Sequence, residues 1–170
     1  MTEKIASFMV GLFGGVASGL MGKYLVVFII SLFPILELRG GLIAASLLDL
    51  PMWQSFLVCF VGNIIPIPFI LWLINPIFRK MRNWPYLGKV VVWCENKANS
   101  KKEQIENLKY LGLLLFVGIP LPGTGAWTGC LIAALLNMDK KKSSLAAMTG
   151  VILAGIIMLI FSYGILGRIF

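Results

Sequence analysis

The sequence predicts an all-α, polytopic integral membrane protein, and three observations predict it. Mean hydropathy is +0.91, with 59% hydrophobic and only 13% charged residues. A soluble domain carries about 25% charged residues. The charges also gather in a few stretches between long apolar runs, and two of those runs are broken midway by proline and glycine. Broken runs predict pairs of short arms in place of straight spans. The expected architecture is an N-terminal transmembrane helix followed by two inverted repeats. Each repeat is a re-entrant helical hairpin and then a transmembrane helix, within a single membrane domain over residues 1–170.

Taken in order, residues 5–22 follow Lys4 and read as a membrane helix rather than a cleaved signal peptide. Gly11, Gly15 and Gly19 recur at every fourth position, on one helix face. Such a face allows close helix contact, either within the protomer or in a homodimer. Residues 24–50 would measure about 40 Å as one helix, against about 30 Å of hydrocarbon. Pro34 near their middle divides them into the first re-entrant hairpin. Asp49-Leu50-Pro51 is a turn and helix-start signal. Residues 52–77 then form a transmembrane helix carrying Asn63, Pro66 and Pro68 at mid-span.

Residues 79–109 are a basic, amphipathic segment. Trp84, Tyr86 and Trp93 in its first part suit headgroup depth, and 96–110 reads as a solvated helix. Residues 111–138 are apolar again, with Pro120, Pro122 and four glycines crowded into 118–129. Backbone freed there must be buried in protein or line a wet cavity, which makes this the second re-entrant hairpin. Asp139-Lys140-Lys141-Lys142 reads as a short basic turn before a last transmembrane helix over 143–167.

The two halves echo one another. Leu42-Ile43-Ala44-Ala45 returns as Leu131-Ile132-Ala133-Ala134, each after a proline-containing break and before a long span. The basic residues then choose a topology. If both broken runs enter and leave on one side, all of the 15 Lys/Arg residues except Lys23, Arg39 and Arg168 share a side. That satisfies the positive-inside rule, whereas full crossings violate it. The N-terminus is then cytoplasmic and the two hairpins dip in from opposite faces. Their tips are expected to meet near the midplane.

Glu37 and Arg39 lie in the first tip, inside an otherwise apolar run. Each charge costs about 2.5–3.5 kcal/mol at the bilayer centre on insertion scales, so such residues usually mark function. Glu37 is a candidate proton carrier. Arg39 offers a fork of donors for an anionic group. Neighbours two apart do not face each other on a helix, so a direct pair requires a broken backbone. Pro34 and Gly40 supply such a break, and Asn63 is placed to line the same cavity. In the second tip, Pro120, Pro122, Gly123, Thr124, Gly125, Trp127 and Thr128 offer backbone amides, hydroxyls and an aromatic wall. Histidine is absent, which excludes His triads, His metal sites and His proton relays. Cys59, Cys94 and Cys130 are isolated and have no disulfide or metal spacing. No metal, cofactor or nucleic-acid partner is expected, and one buried acid does not make a hydrolase.

Pro34-Ile35-Leu36-Glu37-Leu38-Arg39-Gly40 and Phe116-Val117-Gly118-Ile119-Pro120-Leu121-Pro122-Gly123-Thr124-Gly125-Ala126-Trp127-Thr128-Gly129 resemble the small multidrug export family of prokaryotic membrane proteins, which is related to the DedA superfamily. The resemblance implies two re-entrant hairpins in inverted repeat and a cell (inner) membrane location. For the wider superfamily it implies proton-coupled transport or lipid translocation, including carriers of the undecaprenyl-phosphate type. The superfamily's membrane carboxylate maps to Glu37 and the basic partner of this motif to Arg39. The second tip departs from the DedA pattern in having no arginine.

Paired, Gly/Pro-interrupted segments in two halves point to a transporter site built on repeats. The expectation is therefore a small transporter or lipid flippase, proton-coupled, without enzymatic activity. It would move an anionic lipid-linked substrate such as a polyprenyl phosphate, or an amphipathic small molecule, past a midplane site between the tips. The alternative is a membrane structural or assembly factor without transport.

Overall fold

The computed structural model describes residues 19–84, 87–100, 108–121 and 123–165. The expected helix over 5–22, with Gly11 and Gly15, therefore lies almost wholly outside the described residues. All regular structure among those residues is helical. In chain order the elements are α1 (Leu20–Leu32), α2 (Glu37–Leu47), α3 (Met52–Ile64), α4 (Pro66–Met81) and α5 (Leu87–Ser100). They continue with α6 (Lys109–Gly118), α7 (Ala126–Leu135) and α8 (Lys140–Leu159), which passes into a π-helical turn over Ile160–Ile165.

Two stretches are long and apolar enough to cross a bilayer: Met52–Met81, of 30 residues, and Lys140–Gly164, of 25. At 1.5 Å per residue they measure roughly 45 and 38 Å, enough for about 30 Å of hydrocarbon. The apolar helices α1, α6 and α7 have 13, 10 and 10 residues. None exceeds about 20 Å, so none can cross alone.

The chain divides into two compact units. One comprises the residues through Ile65 together with those from Val151 onward, and the other runs from Pro66 to Gly150. In the first unit α1 and α2 form an antiparallel helical hairpin. Lys23 Nζ, at the start of α1, donates to Leu48 O just past the end of α2 at 2.9 Å. There it meets the negative end of the helix dipole. α2 is buried on nearly all sides, from Leu38 through Ala45, because α1, α3 and the π-helical turn all pack on it. Its small residues permit that crowding. Ser31 on α1 is buried, and its hydroxyl returns to Val27 O at 2.9 Å.

The second unit packs α7 against α4, α5 and α6. Here too the central helix is rich in small residues, with Ala126, Gly129, Cys130, Ala133 and Ala134 buried.

Local structures recur between the units. The α2 helix ends with Leu50 N–H bonded to Ala45 O and Asp49 N–H to Ser46 O. The α7 helix ends with Met138 N–H on Ala133 O and Asn137 N–H on Ala134 O. Both are Schellman caps, with Asp49 (φ 54°) and Asn137 (φ 52°) in the left-handed position. Gly62 on α3 lies so close to α1 that a Cβ would sit 2.9 Å from Phe28 O. Gly150 on α8 lies so close to α6 that a Cβ would sit 2.7 Å from Leu114 O.

A third pair completes the pattern. Tyr163 Oη donates to Leu50 O at 3.0 Å, just past the end of α2, while Asn75 Nδ2 donates to Ala134 O at 2.8 Å in the last turn of α7. The interval from Asn75 to Tyr163 equals that from Gly62 to Gly150, from Ser55 to Ser143 and from Gly41 to Gly129.

Several boundaries differ from expectation. The helix expected to end at 77 continues through Arg79 and Lys80 to Met81, since cations suit a helix C-terminus. Pro66 and Pro68 cause no wide break. They occupy the first turn of α4, directly after a turn at Ile65, where a missing N–H costs nothing. Lys140–Lys142 are the first turn of α8 rather than a separate basic turn. Asp139 caps them, its Oδ1 accepting from Lys142 N–H at 2.8 Å. Of the expected helix over 96–110, residues through Ser100 belong to α5 and 101–107 lie outside the described residues.

Candidate functional site

The first tip is built by residues 33–36, which interrupt the backbone between α1 and α2. Phe33 leaves α1 in an extended conformation (φ −73°, ψ 137°), as required of a residue before proline. The chain re-enters a helix at Glu37, which has φ 51°. A non-glycine residue there costs on the order of 1–2 kcal/mol, and such strain is concentrated at functional sites. Glu37 N–H still bonds to Phe33 O at 2.9 Å, so the turn around it is closed.

The side chain of Glu37 is held inside the protein. Glu37 is only 5% exposed and is the one buried acid among the described residues. Arg39, two residues on, is partly buried, and the Glu37 carboxylate acts on its guanidinium electrostatically. Both residues lie in the first turn of α2, and the interrupted backbone precedes them at 33–36. Gly40 follows because a Cβ there would lie 2.8 Å from Leu36 Cβ. Pro34 is exposed at the apex. Asn63, near the end of α3 in the same unit, is 3% exposed, and its Oδ1 has no hydrogen-bond partner among the described residues.

The second tip is a tight, non-helical loop between α6 and α7. Leu121 N–H bonds to Ile119 O at 2.8 Å and Thr124 N–H to Leu121 O at 3.2 Å. The Thr124 hydroxyl turns inward, 3.0 Å from Ile119 O and 2.8 Å from Leu121 O. Its proton is thus committed to holding the loop, and only its lone pairs face elsewhere. Gly123 (φ 79°) and Gly125 (φ 137°) take backbone positions that side-chain-bearing residues avoid, and Gly125 N-caps α7. Trp127 and Thr128 are half-buried in the first turn of α7, and Pro120 is half-buried at the loop's start. Pro122 lies outside the described residues.

Glu37, Arg39, Pro34, Gly40 and Asn63 thus belong to one unit, and the residues of the second tip to the other. Sequence reading overlooked the residues that hold the ends of the short helices. Tyr163 and Asn75 have no local motif, and only their shared interval with Gly62 and Gly150 marks them. Among the described residues no cluster of His, Cys, Asp or Glu has metal-binding geometry.

No curated protein and no solved structure matches the chain. A family model does match, over residues 37–157, under the description "Putative small multi-drug export protein". The matched region opens on Glu37 and takes in both α2 and the whole second tip. With its apolar spans and its interrupted helices, the chain is a membrane protein that belongs to this small multi-drug export family.

Proposed function

We propose that the protein is a proton-coupled membrane exporter of an anionic, lipid-linked or amphipathic substrate, with Glu37 carrying the proton. The observation that carries this reading is the one buried carboxylate among the described residues, at a strained helix start, two residues from a partly buried arginine, in an apolar hairpin. In this reading Glu37 exchanges between its neutral and charged forms during the cycle, with Arg39 as the counter-ion of the charged form. An arriving phosphate or carboxylate competes with Glu37 for the guanidinium. Losing its counter-ion favours protonation of Glu37, which couples proton uptake to substrate binding.

In this reading α1–α2 and α6–α7 are re-entrant hairpins, since helices of about 15–20 Å do not span the bilayer. The recurring caps, glycine contacts and carbonyl clamps support two repeats, and the basic residues support their inverted orientation, with the N-terminus cytoplasmic in a prokaryotic inner membrane. No chemical step is required of the protein, so the proposed activity is not enzymatic.

The test is flux in liposomes containing the full-length protein. Labelled polyprenyl phosphate, phospholipid and a cationic drug are each presented with and without a proton gradient. An anionic substrate is expected to move, faster with the gradient. Glu37→Gln is expected to abolish the gradient-dependent part while the protein purifies as before. Undiminished proton-driven flux in that variant sinks the assignment of Glu37. No flux of any substrate, together with a co-purifying partner, supports an assembly factor instead.

A further inference from the structure

The chain just beyond the first long span carries a feature that the transport reading does not use. Between the end of α4 and the start of α5 lies an open cavity of about 570 Å³, within the roughly 300–1,000 Å³ range of small-molecule sites. Arg82, Asn83, Trp84, Lys89, Trp93 and Asn96 line it. Its floor depends on Gly88. There a Cβ would lie 2.9 Å from Arg82 O, and Gly88 N–H bonds to Trp84 O at 2.8 Å. The first turn of α5 is thereby drawn against the end of α4.

The chemistry of the lining is one-sided. Arg82 spends one guanidinium N–H on Glu95 Oε2, at 3.0 Å, and among the described residues its four other donors have no further side-chain partner. Lys89 adds a second cation, and the two asparagines add neutral donors. Lys97 Nζ sits 4.8 Å from the Trp93 ring centroid and raises the positive potential nearby. Trp84 and Trp93 are 58% and 60% exposed, far more than a soluble core would allow. Such rings prefer the headgroup layer. The depth agrees: a span of roughly 45 Å brings the end of α4 into the polar headgroup zone, which extends about 40–45 Å across the bilayer. Trp53 marks the opposite end of the same span at 68% exposure.

We infer that this cavity binds the phosphate headgroup of an anionic membrane phospholipid, with the cations on the phosphate and the tryptophans along the glycerol and upper acyl chain. The site holds a lipid as a ligand of the second unit and is separate from Glu37 and Arg39.

The experiment uses full-length protein in mixed micelles with equal amounts of phosphatidylglycerol and phosphatidylcholine, one of the two brominated in each sample. Brominated phosphatidylglycerol is expected to quench tryptophan fluorescence more than brominated phosphatidylcholine. The excess is expected to vanish in Trp84→Phe/Trp93→Phe. In Arg82→Gln and in Lys89→Gln the preference is expected to fall about fivefold for each cation removed. Arg82→Lys/Lys89→Arg, which keeps both charges, retains most of it. These side chains are on the surface, so elution as the same monodisperse species verifies folding. Equal quenching by the two lipids overturns the inference, as does a preference that survives loss of both cations. Release of the lipid by millimolar inorganic phosphate reassigns the cavity to free phosphate and also overturns it.

Discussion

At Gly41 a single missing methyl group decides the packing of the first hairpin. A Cβ there would lie 1.9 Å from Ser31 Oγ and 2.8 Å from Cys59 Sγ, at the junction of α1, α2 and α3. Interiors do not yield to such intrusions, and overpacking costs about 1–3 kcal/mol. Gly41→Ala is expected to lower the melting temperature of the solubilised protein. Adding Ser31→Ala removes the nearest atom and is expected to recover part of the loss, and an unshifted melt for Gly41→Ala refutes this. Glu37 was legible as a candidate because charge in an apolar run is visible in sequence, and the structure buries it. The constraint at Gly41 was not, since its partner atoms come from two other helices.

Among elements, the short helices α2 and α7 show how closely the halves agree. Sequence comparison aligns their Leu-Ile-Ala-Ala tetrapeptides, but the caps set a register one residue different. Ala45 corresponds to Ala133 and Asp49 to Asn137, because each pair occupies the same place in the Schellman hydrogen-bond pattern. Hydrophobic letters can slide by one position, whereas a left-handed residue with fixed bonds cannot. Asp49→Val is expected to destabilise by about 1–2 kcal/mol, the cost of a left-handed backbone for a side-chain-bearing residue, here a β-branched one. Asp49→Gly is expected to be neutral or better. Thermal unfolding of both variants measures the difference, and equal melting of the two contradicts the cap.

For the molecule as a whole, the inverted arrangement proposed above makes a prediction about sidedness. Cysteines introduced at Asp49 and Lys141, each alone in a protein without its native cysteines, are expected to react with a membrane-impermeant maleimide from opposite faces. Labelling from the same face refutes the inversion. Native thiols interfere little with pilot experiments. Cys59 and Cys130 are buried, and burial pushes the Cys94 thiol above its ordinary range, which lowers its thiolate fraction.

Sequence alone determined that the chain is a helical membrane protein, where its first apolar run breaks, and that Glu37 and Arg39 lie close to that break, which the structure places just before them at 33–36. Those properties are local: hydropathy sums over neighbours, and proline and glycine act on their own backbone. Only the tertiary structure decided which groups hold the short helices in place. Asn75 and Tyr163 reach carbonyls at the ends of α7 and α2, Gly62 and Gly150 admit the backbone of α1 and α6, and Gly88 closes the floor of the headgroup cavity. Each depends on a partner distant in the chain or on a fold-back of it, and no pattern of neighbouring residues encodes where such a partner will lie.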